Sequence, residues 1–189
     1  MLMDMRKIFV FENVTLDGFM AGPNGEIDWA VRDDEVTQYS QEGQDSIDTF
    51  LFGRVTYDMM ANFWPTPAGR SANPVFAESL NNTPKIVFST TLKKADWQNT
   101  EVVKELTKEE ILNLKQLPGK NMMIFGSGTI VEQLTKLGLI DEYQLMVNPV
   151  VLGKGKPLFK DTTGKINLKL VKTKTFKSGI VLLRYQPVK

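Results

Sequence analysis

A glycine-rich turn stands where an apolar run gives way to a helical pattern, in the stretch Ile124-Phe125-Gly126-Ser127-Gly128-Thr129. Glycines let a ligand approach the backbone closely, and the amides at a helix start, together with the positive end of the helix dipole, bind anions such as phosphate. The dinucleotide fingerprint G-x-G-x-x-G is incomplete, because Val131 stands where the third glycine would be. Taken alone, the motif leaves a phosphate site and a plain turn as equal alternatives.

A second turn of this kind follows the apolar run Phe50-Leu51-Phe52. Gly53 stands at the turn, and Arg54, Thr56 and Tyr57 follow at the start of a helical pattern. An arginine can hold a phosphate through two parallel hydrogen bonds. The alternative is that Thr56 only caps its helix and that Arg54 pairs with a surface carboxylate. Two such turns in one small sheet favour the phosphate site.

A third polar turn is Ser89-Thr90-Thr91-Leu92, which Lys93 and Lys94 follow. In an open α/β sheet, ligands bind in the crevice at the carboxyl ends of the strands. Three polar turns at that edge could hold one extended, phosphate-rich ligand. For residues 91–94 an ordinary polar loop is the alternative.

The loop after the first apolar run is long and rich in glycine, and it keeps apolar residues inside it, from Val14 to Gly25. Such a loop is typical of a lid over a pocket. Asp17 precedes a glycine, a pair that commonly just turns the chain. Trp29 and Trp64 belong either to a pocket wall or to the core.

The chain of 189 residues contains no cysteine and no histidine. This excludes a thiolate nucleophile, a Ser-His-Asp triad and a His/Cys zinc site, and we expect no metal centre. General acid-base chemistry must come from Asp, Glu, Lys, Tyr or water. With 42% hydrophobic and 24% charged residues, the composition predicts one globular domain over residues 1–189.

Short apolar strands alternate with helical segments, which is typical of an α/β sheet. The helices are predicted at about 35–47 and 56–62, at 107–117 with Thr107 as its cap, and up to Gly138 with Thr129 and Glu132 as the capping pair at its start. Residues 65–74 are predicted to form a loop punctuated by prolines. The predicted strands are Lys7 to Val14, Thr49 to Gly53, Lys85 to Ser89, Met122 to Gly126, Tyr143 to Val151, and a C-terminal antiparallel hairpin of Ile166 to Phe176 with Ile180 to Tyr185.

The C-terminal part of the chain is basic, since residues 153–189 hold ten Lys and Arg and one acidic residue, Asp161. A nucleic-acid surface is one interpretation, and a solvated lysine face on an edge strand is the one we favour. The early apolar run Ile8 to Phe11 is too short for a signal peptide, and no stretch approaches the ~18 apolar residues of a spanning helix. We expect a cytoplasmic protein that binds neither membrane nor nucleic acid.

In combination and in this order, these segments resemble the dihydrofolate reductase-like family over nearly the whole chain. The resemblance is to the branch that contains the reductase domain of the bifunctional riboflavin-biosynthesis protein. The stretches that carry it are Thr15-Leu16-Asp17-Gly18, Leu51-Phe52-Gly53-Arg54-Val55-Thr56-Tyr57, Val87-Phe88-Ser89-Thr90-Thr91-Leu92, Phe125-Gly126-Ser127-Gly128-Thr129, and Leu139-Ile140-Asp141-Glu142-Tyr143 running on to Pro149-Val150-Val151-Leu152-Gly153.

The resemblance implies a mainly parallel central sheet with helices on both faces, a C-terminal antiparallel hairpin, and NADPH lying across the strand ends. It implies that Asp17 donates a proton to the substrate or orients it. From the residues themselves we expect Trp29 and Trp64 to contact the substrate as pocket wall, with the core as the better place for one of the two. Many relatives carry an arginine where Thr90 stands, so a preference for NADPH over NADH would depend on Lys93 or Lys94. The residues expected to contact the cofactor are Gly53, Arg54, Thr56, Tyr57, Ser89, Thr90, Gly126, Ser127, Gly128 and Thr129.

The resemblance further implies a reductase acting on 5-amino-6-(5-phosphoribosylamino)uracil and a homodimer. The deaminase half of the bifunctional enzyme needs a His/Cys zinc site, which this chain cannot build. Two alternatives stay open. One is reduction of a pterin such as dihydrofolate, or of another heterocycle, on the same fold. The other is a non-catalytic, dimeric nucleotide-binding protein.

Overall fold

The computed structural model describes residues 5–31, 33–162 and 164–188. Within these residues there are ten strands and six helices, interspersed along the chain. The strands are β1 (Ile8–Thr15), β2 (Phe19–Ala21), β3 (Ile47–Gly53), β4 (Lys85–Phe88), β5 (Thr100–Val103), β6 (Asn121–Phe125), β7 (Glu142–Asn148), β8 (Lys156–Pro157), β9 (Leu168–Thr175) and β10 (Val181–Pro187). The helices are α1 (Asp34–Gln44), α2 (Arg54–Ala61), α3 (Pro67–Ala72), α4 (Pro74–Asn82), α5 (Lys108–Gln116) and α6 (Gly128–Lys136).

Eight of the strands form one sheet in the order β5-β4-β3-β6-β1-β7-β10-β9. The six strands from β5 to β7 are mutually parallel, so their carboxyl ends share one edge. Strand β10 pairs antiparallel with both β7 and β9. The α/β architecture predicted from the sequence, with its C-terminal antiparallel hairpin, is confirmed.

The two faces of the sheet carry separate cores, because side chains alternate along each strand. On β1, Ile8 and Val10 pack with α5 and α6, whereas Phe9 and Phe11 face the side of α1, α2 and α4. The helices therefore cover both faces and leave the edge at the strand ends for the connecting turns.

Two helix predictions need correction. Residues 65–74 are not a simple loop, because Thr66 and Asn73 each cap a helix whose first residue is a proline, Pro67 or Pro74. Proline suits a first helical position, where its missing N–H is not needed. Helix α6 begins at Gly128 with Ser127 as its N-cap residue, so Thr129 lies inside the helix rather than capping it.

Three short strands, β2, β5 and β8, were not predicted. Strands β2 and β8 pair with each other outside the main sheet and carry too few residues for a sequence pattern. The lysine-rich strand β9 is the outer strand of the sheet, as the sequence indicates, and most of it is exposed. Among the residues that the structure describes, no helix is long and apolar enough to cross a bilayer.

Candidate active site

The turns after β3 and β6 touch each other at the shared edge of the sheet. The hydroxyl of Ser127 accepts a hydrogen bond from the Gly53 amide at 2.9 Å. A Cβ atom added to Gly126 would lie only 2.9 Å from Cγ2 of Thr56, and one added to Gly53 would touch Ile130. Two of the three predicted turns are thus parts of one crevice, and the third, at Ser89, follows the adjacent strand β4.

The helices that start at this crevice differ from the other four in their N-terminal caps. Side-chain oxygens of Asp33, Thr66, Asn73 and Thr107 cap α1, α3, α4 and α5. Helices α2 and α6 have no side-chain cap hydrogen bond. The first amides of a helix have no partner within the helix. At these two starts they remain free of any side-chain cap and can meet an anionic ligand.

The backbone of the glycine turn is bent in an uncommon way. Gly126 and Ser127 both have left-handed conformations, with φ of 67° and 66°. A Cβ on Gly128 would overlap the sulfur of Met20, so Met20 packs directly on the start of α6. Met20 belongs to β2, within the glycine-rich loop after β1. The segment predicted to be a lid therefore lies against the glycine turn.

Asp17 stands at the base of that lid, and its carboxylate is fully engaged. It accepts hydrogen bonds from the Thr15 hydroxyl at 2.6 Å and from the amides of Leu152 and Gly153 at 3.2 and 2.7 Å. The Thr15 hydroxyl, and then these amides, lower the pKa of Asp17 below its ordinary value. A carboxyl group with a lowered pKa is ionised at neutral pH. This geometry favours a positioning role for Asp17 over proton donation.

The other predicted cofactor contacts divide into those at the crevice and one that lies apart. Arg54 is exposed at the start of α2 and forms an ion pair with Asp58 at 3.0 Å. This is the surface pair that the sequence offers as the alternative to a phosphate contact. Thr90 is exposed, as is Thr129 in the first turn of α6. Tyr57 is buried in the core, where its hydroxyl accepts a hydrogen bond from the Trp97 amide. The structure therefore does not bring Tyr57 to the crevice.

Ser89 follows β4 and shapes its own turn. Its hydroxyl accepts hydrogen bonds from the amides of Thr91 and Leu92 at 3.2 and 3.0 Å. Lys93 and Lys94, which follow, are exposed. They place two cations at this end of the crevice, and Lys94 Nζ lies 3.9 Å from Oδ1 of Asp96.

The two tryptophans occupy different surroundings. Trp29 is half-buried just after the lid loop, and its indole N–H donates to the Glu26 carbonyl at 3.1 Å. Trp64 packs edge-on against Phe76 with ring centroids 4.8 Å apart. Since Phe76 lines a cavity beneath α1, Trp64 stands behind the wall of that cavity rather than in it.

Two features of the structure are not predicted from the sequence. The first is the cavity between α1 and the sheet, about 110 Å³ in volume. The second is Glu12 on β1, which is 8% exposed and has an oxygen, Oε2, with no hydrogen-bond partner among the described residues. Burial raises the pKa of Glu12 to about 8. An acidic residue within an apolar strand was the available signal for Glu12.

The residues at this edge fit a phosphate-bearing dinucleotide. The glycine turn approaches Thr56 so closely that a side chain at Gly126 would close the cradle. The starts of α2 and α6, which have no side-chain cap, lie in the middle of this edge, where their amides can hold a pyrophosphate. The exposed Lys93 and Lys94 follow Ser89 and can meet a further phosphate. The crevice offers amides, hydroxyls and cations, and these are the groups that bind phosphate oxygens.

Two proteins of Bacillus subtilis (strain 168) are similar in sequence. The uncharacterized protein YyaP is 37% identical over 182 residues, which cover 95% of this chain and 94% of that protein. The uncharacterized protein YwjB is 30% identical over 184 residues, which cover 94% and 96%.

Solved structures share the fold. A protein from Shewanella sp. PV-4, assigned provisionally to riboflavin biosynthesis, superposes with a TM-score of 0.78 at 23% identity, covering 97% of this chain and 99% of that one. The diaminohydroxyphosphoribosylaminopyrimidine deaminase/5-amino-6-(5-phosphoribosylamino)uracil reductase of Thermotoga maritima gives 0.70 at 18% identity. This chain is covered over 97% of its length and spans 57% of that longer protein.

Residues 6–182 match the family described as the RibD C-terminal domain. The match covers nearly the whole chain and includes β1, the glycine turn and the crevice around it. The chain therefore belongs to the RibD C-terminal domain family.

Proposed function

We propose that the protein is an NADPH-dependent reductase of the riboflavin-reductase type that acts on a small heterocyclic substrate. The observation that carries the proposal is the pair of helix starts without side-chain caps, α2 and α6, which meet through Gly53 and Ser127. Family membership and the reductase activity for which the Thermotoga maritima protein is named support it.

The chain's own residues would bind and orient the cofactor. The amides at the starts of α2 and α6 would hold the pyrophosphate, with Arg54 released from Asp58 to reach it. Ser89 and Thr90 would lie at the adenosine end, with Lys93 or Lys94 facing its phosphate. When bound, NADPH supplies the hydride, so a chain without histidine or cysteine needs to supply only orientation and electrostatics.

The lid would exclude water from the reacting ring. Met20 already packs on the α6 start, and Asp17 ties the base of the lid to the amides of Leu152 and Gly153. Asp17 is ionised at neutral pH because of its lowered pKa. In this proposal Asp17 positions the loop and the substrate, and the proton that accompanies the hydride comes from water.

Binding and turnover test the proposal separately. Fluorescence titration should show saturable binding of NADPH, with weaker binding of NADH. NADPH oxidation should then be measured with 5-amino-6-(5-phosphoribosylamino)uracil and with dihydrofolate. Binding with turnover of either substrate supports a reductase, and the ratio of the two rates identifies the better one. NADPH binding without turnover of any heterocycle would instead support a nucleotide-binding protein.

A further inference from the structure

Glu12 is an acidic residue inside an apolar layer of the protein. Its side chain faces the same side of the sheet as Val10 and Val14, because side chains alternate along a strand, and both valines belong to the core that α5 and α6 cover. Glu12 is 8% exposed, and its oxygen Oε2 has no hydrogen-bond partner among the described residues. The contacts of the core therefore give no reason for a carboxyl group at this position.

The position of Glu12 places it under the start of α6. Phe11 pairs with Phe125, the last residue of β6, so Glu12 lies level with Gly126 of the glycine turn. Helix α6 connects β6 to β7, the two neighbours of β1, and therefore crosses over β1 on this face. Met20 of the lid packs against the same core and against the start of α6. Glu12 thus faces the helix start whose amides have no side-chain cap.

No charged side chain compensates a charge on Glu12. The titratable residues of α5, α6, β7, β8 and the lid loop are Lys108, Glu109, Glu110, Lys115, Glu132, Lys136, Glu142, Tyr143, Lys156 and Asp17. None of them contributes to the pKa of Glu12, which burial raises to about 8 against a smaller lowering by the Asn13 amide. An ionised carboxylate with an unpartnered oxygen is costly in an apolar layer, so Glu12 is neutral at pH 7.

The charge of Glu12 decides how strongly the start of α6 attracts an anion. The free amides and the positive end of the helix dipole stabilise negative charge placed near them. Neutral Glu12 leaves these groups to a ligand in the crevice. An ionised Glu12 would interact with them itself, and it would repel an anionic ligand through an apolar layer that screens charges poorly.

We infer that Glu12 controls the affinity of the crevice for NADPH through its own proton: the neutral form permits binding of the diphosphate, and the ionised form weakens it. The inference deepens the proposed function and rests on it, because NADPH is the ligand concerned. Since coupling between two sites is reciprocal, bound NADPH in turn favours the protonated carboxyl group.

The protonation of Glu12 can be measured without any cofactor. Carbon NMR of its side-chain carboxyl group in the free protein, followed from pH 4 to pH 9, should show a protonated group at pH 7 and a pKa of about 8. Titration near the ordinary value of 4.5 would overturn the inference, whether or not the protein binds NADPH.

The coupling is measured by fluorescence titration of NADPH at several pH values. From pH 7 to pH 9 the dissociation constant should rise about fivefold in the wild-type protein and less than twofold in Glu12→Gln, which corresponds to a change of about one unit in the pKa of Glu12 on binding. The phosphate monoester of NADPH has a second pKa of about 6, so the charge of the cofactor stays nearly constant over this range.

Glu132→Gln is the matched control, because it removes a carboxylate of α6 that forms an ion pair with Lys136 at 2.6 Å. This variant should keep the wild-type dependence on pH. Lys85, whose pKa burial lowers to about 8, titrates over the same range but is present in all three proteins. Equal dependence in the wild-type protein and Glu12→Gln would refute the inference and leave the proposed function intact. Absence of NADPH binding at every pH would refute the proposed function and the coupling together.

Discussion

At the scale of single residues, Asp17 shows how contacts decide a role. Its carboxylate accepts one hydrogen bond from the nearby Thr15 hydroxyl and two from the amides of Leu152 and Gly153, and the latter two connect the loop after β1 to residues 152–153. The sequence indicates an aspartate in a glycine-rich loop but not these two amide donors, because they lie 135 and 136 positions away. The resemblance alone suggested proton donation.

We expect Asp17→Asn to lower kcat and to leave the affinity for NADPH nearly unchanged. An asparagine offers one acceptor oxygen where the carboxylate offers two, so the lid would be held less firmly in its working position. Steady-state kinetics with a separate cofactor titration measures both quantities. An unchanged kcat would remove Asp17 from the mechanism.

Glu12 is the residue whose titration should affect stability. Its pKa is raised by burial to about 8, above its ordinary value of 4.5, so the folded protein binds the proton more tightly than the unfolded chain. This contribution to stability is fully present below pH 4.5 and is lost as the pH rises towards 8. The loss is on the order of 1 kcal/mol per pH unit within that window.

We therefore expect the Tm of the wild-type protein to fall between pH 5.5 and 7.5 more steeply than that of Glu12→Gln. The glutamine keeps the shape of the side chain and does not titrate. Thermal unfolding of both proteins across this window provides the comparison. Parallel curves for the two proteins would mean that Glu12 does not hold its proton in the folded state.

At the scale of elements, the two glycines that flank α6, Gly126 before it and Gly138 after it, separate the effect of backbone conformation from that of ligand binding. Gly126 has a φ of +67° and lies within van der Waals reach of Thr56. Gly138, after the same helix, has the same φ of +67° but no atom within 4 Å of its missing Cβ. The two glycines share one conformational requirement and differ in what surrounds them.

Alanine at either position should destabilise the fold by about 1 kcal/mol, because a left-handed conformation is unfavourable for a residue with a Cβ. Gly126→Ala should also weaken NADPH binding by tenfold or more, since the added carbon closes the cradle against Thr56. Gly138→Ala should leave NADPH affinity unchanged. Equal NADPH affinities in the two variants would show that NADPH does not bind at the glycine turn.

The elements also show what a sequence can and cannot reveal about this fold. The positions of β1, β3, β4 and β6 and the turns after them follow from local apolar runs and glycines, and they were predicted to within about two residues. The ion pair between Glu142 on β7 and Arg184 on β10, 2.6 Å apart, was not, because it depends on the register in which these two strands pair. Tyr57 is expected to contact the cofactor because it belongs to a motif that carries the family resemblance, and only packing shows that it turns into the core.

At the scale of the whole molecule, the outer strand β9 is the surface on which we propose that a second copy binds. Leu170 and Val171 on this strand are 49% and 47% exposed, and Ile166 before it is 41% exposed. Light scattering coupled to size exclusion should give a mass near twice the 21.3 kDa of the chain. Val171→Lys should shift this mass towards that of one chain. A single-chain mass for the wild-type protein across micromolar concentrations would exclude the homodimer.

We propose that the turns after β4, β3 and β6 form one binding surface for an anionic dinucleotide. Amide chemical shifts recorded during an NADPH titration test this proposal most directly. We expect the largest changes to fall together on Gly53, on residues 126–129 and on the turn at Ser89, with one common dissociation constant. Saturation with changes confined to another part of the molecule, or an unchanged spectrum at millimolar NADPH, would contradict it.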